Sequence, residues 1–176
     1  MIFGQCCLPC SAEQTFFSGL LTLPGLDGYH RFVESQSSGP KTRWSLDKSE
    51  NSSTRAYLLS NPKASLWITV KRLDPSSQSD PDLALKSYET ALSSRLKGNG
   101  QKPSPARKAN WSGGKALVVG VDGFSTDYDC QLLCLVPLAT PNRDGAFLVS
   151  VVSSKVSRSE GQRLVESFLK GAKLKS

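Results

Sequence analysis

YDCQLLCLVPLATPNRDGAFLVSVVSS, residues 128–154, contains two apolar runs separated by a polar segment. The runs YDCQLLCLVPL and GAFLVSVVSS have the length and the apolar content of long strands. The segment between them, ATPNRDG, is rich in residues that form turns. This stretch therefore predicts two neighbouring strands joined by a loop.

The residues after these two strands predict a helix over SRSEGQRLVESFLKG, residues 157–171. Ser157 and Glu160 have the spacing of a capping box, in which each side chain accepts a hydrogen bond from the other residue's backbone N–H. Gly171 is expected to end the helix. The face that we expect to be buried consists of Leu164, Val165, Phe168 and Leu169.

A second helix is predicted earlier in the chain, over DPDLALKSYETALSSRLKG, residues 80–98. Asp80 can cap the helix, Pro81 suits the first helical position, and Gly98 ends the run. The apolar residues recur at helical spacing, which indicates one buried stripe. That stripe consists of Leu85, Tyr88, Leu92 and Leu96.

Strands account for most of the remaining chain. SLWITVKRL alternates between apolar and polar positions, and TRAYLLS followed by NPKA predicts the first strand and the turn of a hairpin. KALVVGV suits the first strand of a three-strand meander, followed by a tight turn at Asp122 and Gly123. GYHRFVE and TRWSLD also predict strands, and AKLKS predicts a short edge strand. The pattern of AEQTFFSGLL fits either a short amphipathic helix or a strand.

The order of these elements is strands, helix, three strands and helix, which favours an α+β fold. We expect an antiparallel β-sheet with two main helices packed on it, as an α/β/α sandwich. A chain of 176 residues has the length of one domain. We place an N-terminal arm, partly mobile or docked, at residues 1–24, and a single α+β domain at residues 25–176.

The second half of the chain resembles the α/β/α sandwich shared by the PsbP family, the Ran-binding nucleotide-release factors and many small bacterial lipoproteins of unknown function. The hairpin whose second strand reads GAFLVSV carries the resemblance, together with the helix that ends in ESFLKGAKL. The resemblance implies this sandwich over roughly residues 57–175. It also implies a non-enzymatic accessory or binding module, because members of this group act as assembly factors, chaperones or inhibitors.

The composition is basic, with 22 Lys and Arg against 15 Asp and Glu and a net charge of +7. Such a charge suits an acidic protein surface, a nucleic acid or an anionic membrane. The cations are scattered, with no arginine-rich helix and no aromatic-plus-basic RNA-binding signature, which argues against a nucleic-acid partner. No apolar stretch reaches the length of a membrane span, so the N-terminal arm is the one segment expected to mediate membrane association. We therefore expect a protein partner with an acidic surface.

Candidate binding residues lie in the stretch from Gly98 to Gly114, which the Gly, Pro and basic content predicts to be a long loop. In this prediction Trp111 is exposed and anchors an acidic partner, while the neighbouring cations form the rim. The alternative is a solvated, disordered loop. The apolar segment FFSGLLTLP is expected to pack on the sheet, with docking to a partner as the alternative. The predicted partner-binding residues are Lys102, Arg107, Lys108, Trp111, Lys115, Phe16 and Phe17.

The cysteines lack the additional ligands and the structural setting that metal or redox chemistry requires. Cys6, Cys7 and Cys10 form a cluster, but a structural zinc takes four ligands and the chain has one histidine. Cys130 and Cys134 lie four apart in a predicted strand, which places them about 13 Å apart on one face. CLPC matches the C-x-x-C motif of redox-active cysteines, but it lies before the predicted elements of the fold and not between a strand and a helix. We predict no metal and no cofactor, and leave incidental thiols, a disulfide or acylation open for the cluster.

The sequence also offers few residues from which a catalytic site could be built. His30, the one histidine, lies between aromatic residues in a predicted strand, which favours a structural role over that of a base. No G-x-S-x-G motif occurs, and WSGGKAL lacks the spacing of a phosphate-binding loop. The acids of GVDGFSTDYD lack the EF-hand spacing for Ca²⁺. These observations argue against an enzyme.

The sequence thus predicts a non-enzymatic protein-binding accessory module of the chaperone, assembly-factor or immunity type. A small-ligand or lipid carrier is the alternative, and it requires a cavity between helix and sheet. An enzyme of unknown class ranks third. The location is expected to be periplasmic or secreted if Met1 follows a removed signal, and cytoplasmic otherwise.

Overall fold

The computed structural model describes residues 13–35, 43–46, 54–73, 80–125, 128–137, 146–154 and 158–175. The two described helices are α1 (Pro81–Gly98) and α2 (Arg158–Gly171). The strands are, in chain order, β1 (Gln14–Phe16), β2 (Leu21–Leu23), β3 (His30–Ser35), β4 (Arg43–Leu46), β5 (Ala56–Asn61), β6 (Leu66–Arg72), β7 (Lys102–Pro103), β8 (Arg107–Trp111), β9 (Gly114–Ser125), β10 (Tyr128–Pro137), β11 (Phe147–Ser154) and β12 (Lys173–Leu174). Neither described helix combines the length and the apolar character of a membrane span.

The main sheet is antiparallel, and within the described residues it has nine strands. Their order is β4-β3-β5-β6-β11-β10-β9, and both β7 and β8 pair with the outer edge of β9. The hairpin of β5 and β6 and the meander of β9, β10 and β11 are as predicted. The α+β class is therefore confirmed.

The helices pack on opposite faces of this sheet, because its central strands bury apolar side chains on both sides. Along β6, Leu66, Ile68 and Val70 point into one cluster, which Val165 and Phe168 of α2 complete. The opposite cluster combines side chains of α1, β9 and β10. It consists of Ala84, Leu85, Leu96, Leu117, Val119, Val121, Cys130 and Ala146. Two helical layers around a sheet form the predicted α/β/α sandwich.

The ends of the helices follow from local chemistry. The Asp80 carboxylate accepts a hydrogen bond of 2.8 Å from the Asp82 N–H, and Pro81 occupies the first turn, so α1 starts where its sequence predicts. The helix ends at Gly98, also as predicted. For α2, Ser157 lies outside the described residues, so its capping box stays a prediction.

A second, smaller sheet joins the two ends of the described chain. The segment AEQTFFSGLL contains β1 and the start of β2, which form a hairpin, and the helical alternative for it is wrong. At the turn, Phe17 and Ser18 have φ values of 58° and 57°, the left-handed conformation that hairpin turns use. The predicted edge strand in AKLKS is β12, which pairs with β2 rather than with the main sheet.

The predicted turn at Asp122 and Gly123 is wrong. Both residues lie inside β9, which continues to Ser125 before β10 begins at Tyr128. Pairing between β9 and β10 shifts register between Tyr128 and Cys130. This irregularity lets the long strand continue beyond a pair of residues that normally favours a turn.

Candidate functional site

The stretch from Gly98 to Gly114 forms edge strands, and the prediction of a long loop is wrong. Arg107 to Trp111 form β8, which pairs with β9 from Gly114 to Val118. Lys102 and Pro103 form β7, which pairs with the same strand further along. Between them, the Ser104 N–H donates to the Gly120 carbonyl at 2.8 Å, and the Gly120 N–H donates to Ser104 Oγ at 3.0 Å. The segment is therefore held along its length by β9.

Trp111 is buried, contrary to the prediction of an exposed anchor. Its side chain is 7% exposed and belongs to the core cluster on the α2 face. The indole N–H donates to the Lys115 carbonyl at 3.0 Å, so the polar end of the ring is satisfied inside the protein. The alternation in RKANW could have revealed this, because it places Ala109 and Trp111 on one face of a strand.

Three of the predicted cations remain exposed and form what we call the basic edge: Lys102, Arg107 and Lys108. Arg107 pairs with Val118 of the α2 face, whereas Lys108 pairs with Leu117 of the α1 face. Neighbours in a strand point to opposite faces, so these two cations flank the edge on both sides. None of the three forms an ion pair with another described residue. Lys115 is half-buried beside them.

Phe16 and Phe17 are core residues, which leaves neither ring free to dock on a partner. Phe16 is fully buried and Phe17 is 8% exposed. Both rings meet Tyr57 edge to face, at centroid distances of 5.2 and 5.0 Å, and the Phe17 N–H donates to the Tyr57 hydroxyl at 3.2 Å. The Arg31 guanidinium lies 4.8 Å from the Phe16 ring centroid and donates to the Thr15 carbonyl at 2.6 Å. The prediction that this segment packs on the sheet is confirmed.

His30 begins β3, as predicted, and its side chain is exposed. The described residues contain no group of three or more His, Cys, Asp and Glu side chains that could hold a metal ion. The clustered Cys6, Cys7 and Cys10 lie outside the described residues. Cys130 is a buried, free thiol.

A cleft lies between the C-terminal half of α1 and the sheet, and the sequence prediction did not locate it. Its volume is about 240 Å³. We call it the α1 cleft, and its lining combines apolar side chains with polar groups and two cations: Thr69, Lys71, Leu92, Arg95, Leu96, Asn99, Gln101, Cys130, Leu148, Ser150 and Val152. Thr69 and Lys71 are the polar positions in the alternation of SLWITVKRL. That pattern indicated a more polar surface on this face of the sheet.

Comparison with known proteins gives a likeness of fold. No protein family model matches this chain, and no curated protein sequence matches it. Among solved structures, the chain is similar to the Saccharomyces cerevisiae Ran-binding protein Mog1p, with 12% identity, 89% of this chain and 83% of that chain covered, and a TM-score of 0.49.

A variant of the protein Mog1 is similar with 10% identity, 90% of this chain and 89% of that chain covered, and a TM-score of 0.50. At this identity the likeness concerns the fold alone. The fold of this second structure agrees with the α+β class that the sequence predicts.

Proposed function

We propose that this chain is a non-enzymatic protein-binding module whose partner presents an acidic surface to the basic edge. The observation that carries the proposal is the exposure of Lys102, Arg107 and Lys108 along two edge strands, without an ion pair to any described residue. Unpaired cations of one sign attract an acidic surface and raise the rate of its association.

The backbone of the basic edge supports the same proposal. Among the described strands, β7 and β8 pair with β9 alone, so the outer side of each faces away from the sheet. An edge strand can accept an added strand, and lysines on such an edge discourage pairing with chains that carry no complementary charge. A partner segment with acidic residues meets both requirements. The hydrogen bonds between Ser104 and Gly120 hold the edge in place before binding, which lowers the ordering cost.

Large apolar side chains do not offer a better surface in the described part of the chain. Leu46 and Leu83 are its exposed large hydrophobic residues, at 57% and 51%. One lies on β4 at the far edge of the sheet and the other in the first turns of α1. Single exposed leucines are common on protein surfaces and do not mark an interface.

A charge-reversal experiment tests the proposal. The edge variant carries Lys102→Glu, Arg107→Glu and Lys108→Glu, and tagged proteins are used to capture partners from a nuclease-treated extract of the native source at two salt concentrations. We expect the wild-type protein to retain a stoichiometric protein that the edge variant loses, and the higher salt to weaken its capture. Recovery of the same protein by both baits would contradict the proposal.

The matched control reverses three exposed cations elsewhere, Lys63→Glu, Lys86→Glu and Lys175→Glu. Each replacement lowers the net charge by two, so both triple variants carry +1 where the wild type carries +7. We expect the control to retain the partner. Equal loss from both variants would show that net charge, and not the basic edge, governs capture. A parallel capture from untreated extract completes the test: a partner that the wild-type protein retains there but loses after nuclease treatment would instead indicate a nucleic-acid bridge.

A further inference from the structure

The α1 cleft has two walls of different origin. The helix supplies Leu92, Arg95 and Leu96, and the sheet supplies Lys71, Leu148 and Val152. Leu96 is buried and the other three apolar side chains are half-buried, so the inner surface is mainly hydrocarbon. The volume of about 240 Å³ is somewhat below the range typical of pockets for drug-sized ligands, roughly 300–1,000 Å³. The cleft therefore suits a small molecule rather than a long lipid chain.

The lining of this cleft includes two cations, one from each wall. Lys71 extends from β6 and Arg95 from the last turns of α1, and both are exposed. Neither forms an ion pair with another described residue. An apolar cleft with cations from both walls favours a ligand that has an anionic group at the entrance and an apolar body inside.

Gln101 lines the cleft, and the oxygen of its side-chain amide lacks a hydrogen-bond donor among the described residues. Its Oε1 atom is buried and accepts no hydrogen bond in the described part of the chain. The backbone of the same residue is anchored, because its N–H donates to the Leu96 carbonyl at 2.9 Å. A buried acceptor without a donor is destabilising, so Gln101 gains when its side chain turns toward a cleft ligand that brings an N–H or O–H group.

The thiol of Cys130 does not make the cleft a catalytic site. Burial raises the pKa of Cys130 to about 12, so the thiol stays protonated at neutral pH. A protonated thiol is a poor nucleophile and a poor metal ligand. Its contribution to the cleft is that of a small apolar surface.

We propose that the α1 cleft binds a small amphipathic carboxylate, with the carboxylate between Lys71 and Arg95, the apolar body against Leu92 and Leu148, and one hydrogen-bond donor toward Gln101. This site is separate from the basic edge and does not depend on a protein partner. It gives the alternative of a small-ligand carrier a physical location in the sandwich.

The probe for this site is 3-(4-hydroxyphenyl)propanoate, which carries a carboxylate, an apolar body and a hydroxyl donor. Calorimetric titration of the whole chain is expected to show saturable binding at one site, with amide shifts in ¹H–¹⁵N spectra centred on Gln101, Leu148 and Val152. Three further probes each remove one feature: the neutral 3-(4-hydroxyphenyl)propanamide, 3-phenylpropanoate without the hydroxyl, and inorganic phosphate without the apolar body. We expect each to bind at least about fivefold more weakly.

Paired variants connect binding to the named side chains. Lys71→Gln and Arg95→Gln are each expected to weaken binding of the carboxylate about fivefold, while Lys97→Gln, an exposed cation two residues further along α1, leaves it unchanged. Absence of saturable binding, or equal affinity for the neutral amide, would overturn the proposal. Equal affinity for 3-phenylpropanoate would overturn the role of Gln101. Amide shifts confined to another surface would overturn the location.

Discussion

Gly113 lies beneath the ring of Trp111, and this contact leaves no room for a side chain. A Cβ atom at Gly113 would come within 2.5 Å of Cζ2 of Trp111. The ring cannot move away easily, because its indole N–H is bonded to the Lys115 carbonyl and its other atoms pack in the core. The glycine is therefore required for packing, and the tryptophan for the core rather than for recognition.

We expect Gly113→Ala to destabilise the protein by about 1–3 kcal/mol, the usual cost of overpacking a core. The measurement is the free energy of unfolding from urea denaturation. Gly98→Ala is the matched control: nothing lies within 4 Å of its Cβ position, and alanine favours the helix that ends there. Equal unfolding midpoints for the two variants would show that the Trp111 ring relaxes freely.

Tyr29 gives the protein a sensitivity to alkaline pH. Burial, and then the negative charge of Glu160, raise the pKa of Tyr29 to about 12 from its ordinary value of 10. The unfolded chain releases this proton near pH 10 and the folded protein only near pH 12, so stability falls as the pH rises between these values.

We expect Tyr29→Phe to lose less stability than the wild type between pH 8 and pH 10.5, by less than about 1 kcal/mol because the ring is only half-buried. Urea denaturation at the two pH values gives the difference. Cys130 contributes an alkaline loss of its own, equal in both proteins, because its pKa is raised from 9.0 to about 12. Parallel loss in both proteins would contradict the role assigned to Tyr29.

At the scale of elements, the hairpin of β1 and β2 is fixed to the sheet by Tyr57. This side chain is fully buried, accepts a hydrogen bond from the Phe17 N–H and contacts both phenylalanine rings. The left-handed conformation at Phe17 is unusual for a residue with a large side chain, and burial of its ring offsets that strain.

We expect Tyr57→Phe to destabilise the protein by about 1–2 kcal/mol, because the Phe17 N–H loses its acceptor inside the core. Amide hydrogen exchange near neutral pH should show faster exchange at Phe17. Tyr29→Phe serves as the control, since no described donor bonds to its hydroxyl. Unchanged exchange at Phe17 would mean that this hydrogen bond does not hold the hairpin.

Elements with strong local patterns could be predicted, and elements that depend on a distant partner could not. The helices α1 and α2 have apolar stripes and end signals within their own residues, and the meander consists of apolar runs. By contrast, β7 is two residues long and begins in a stretch with two prolines. It is a strand because β9 offers an edge to it, and only the assembled sheet reveals that edge. The same reason applies to β8, whose alternation spans only five residues.

At the scale of the whole molecule, β12 connects the end of α2 to the N-terminal hairpin. Lys173 and Leu174 pair with Thr22 and Leu21, and the Lys175 N–H donates to the Leu20 carbonyl at 2.9 Å. The Ser112 hydroxyl donates to the Ala172 carbonyl, which ties the same segment to the turn after β8. The small sheet therefore links three parts of the chain.

Removal of residues 173–176 is expected to destabilise the protein by about 2–3 kcal/mol, from lost backbone hydrogen bonds and the partly buried Leu174. Urea denaturation measures the loss, and hydrogen exchange at Leu21 and Leu23 reports whether β2 is released. Lys173→Ala is the control, because it removes only the exposed ion pair of 2.7 Å with Glu13, worth less than about 0.5 kcal/mol. Equal stability of the two variants would contradict a structural role for β12.

The candidate sites also show how far sequence reasoning extends. The cations of the basic edge could be named from composition, but their division between two faces depends on the register of β8 with β9. The α1 cleft could not be located in advance. Lys71 and Arg95 lie far apart in the chain, and the space between them exists only because α1 leaves part of the sheet uncovered.

The pairing of β2 with β12 has a consequence for the synthesis of the protein on the ribosome. Leu21 meets Leu174, which is translated roughly 8–30 seconds later at 5–20 residues per second. For most of that interval the Phe17 ring also lacks Phe147, which stacks on it at a centroid distance of 5.5 Å in the folded protein. A nascent chain with unshielded aromatic rings is a substrate for chaperones that attend translation. Slow codons in the second half of the message would lengthen this exposure, and fast codons there would shorten it.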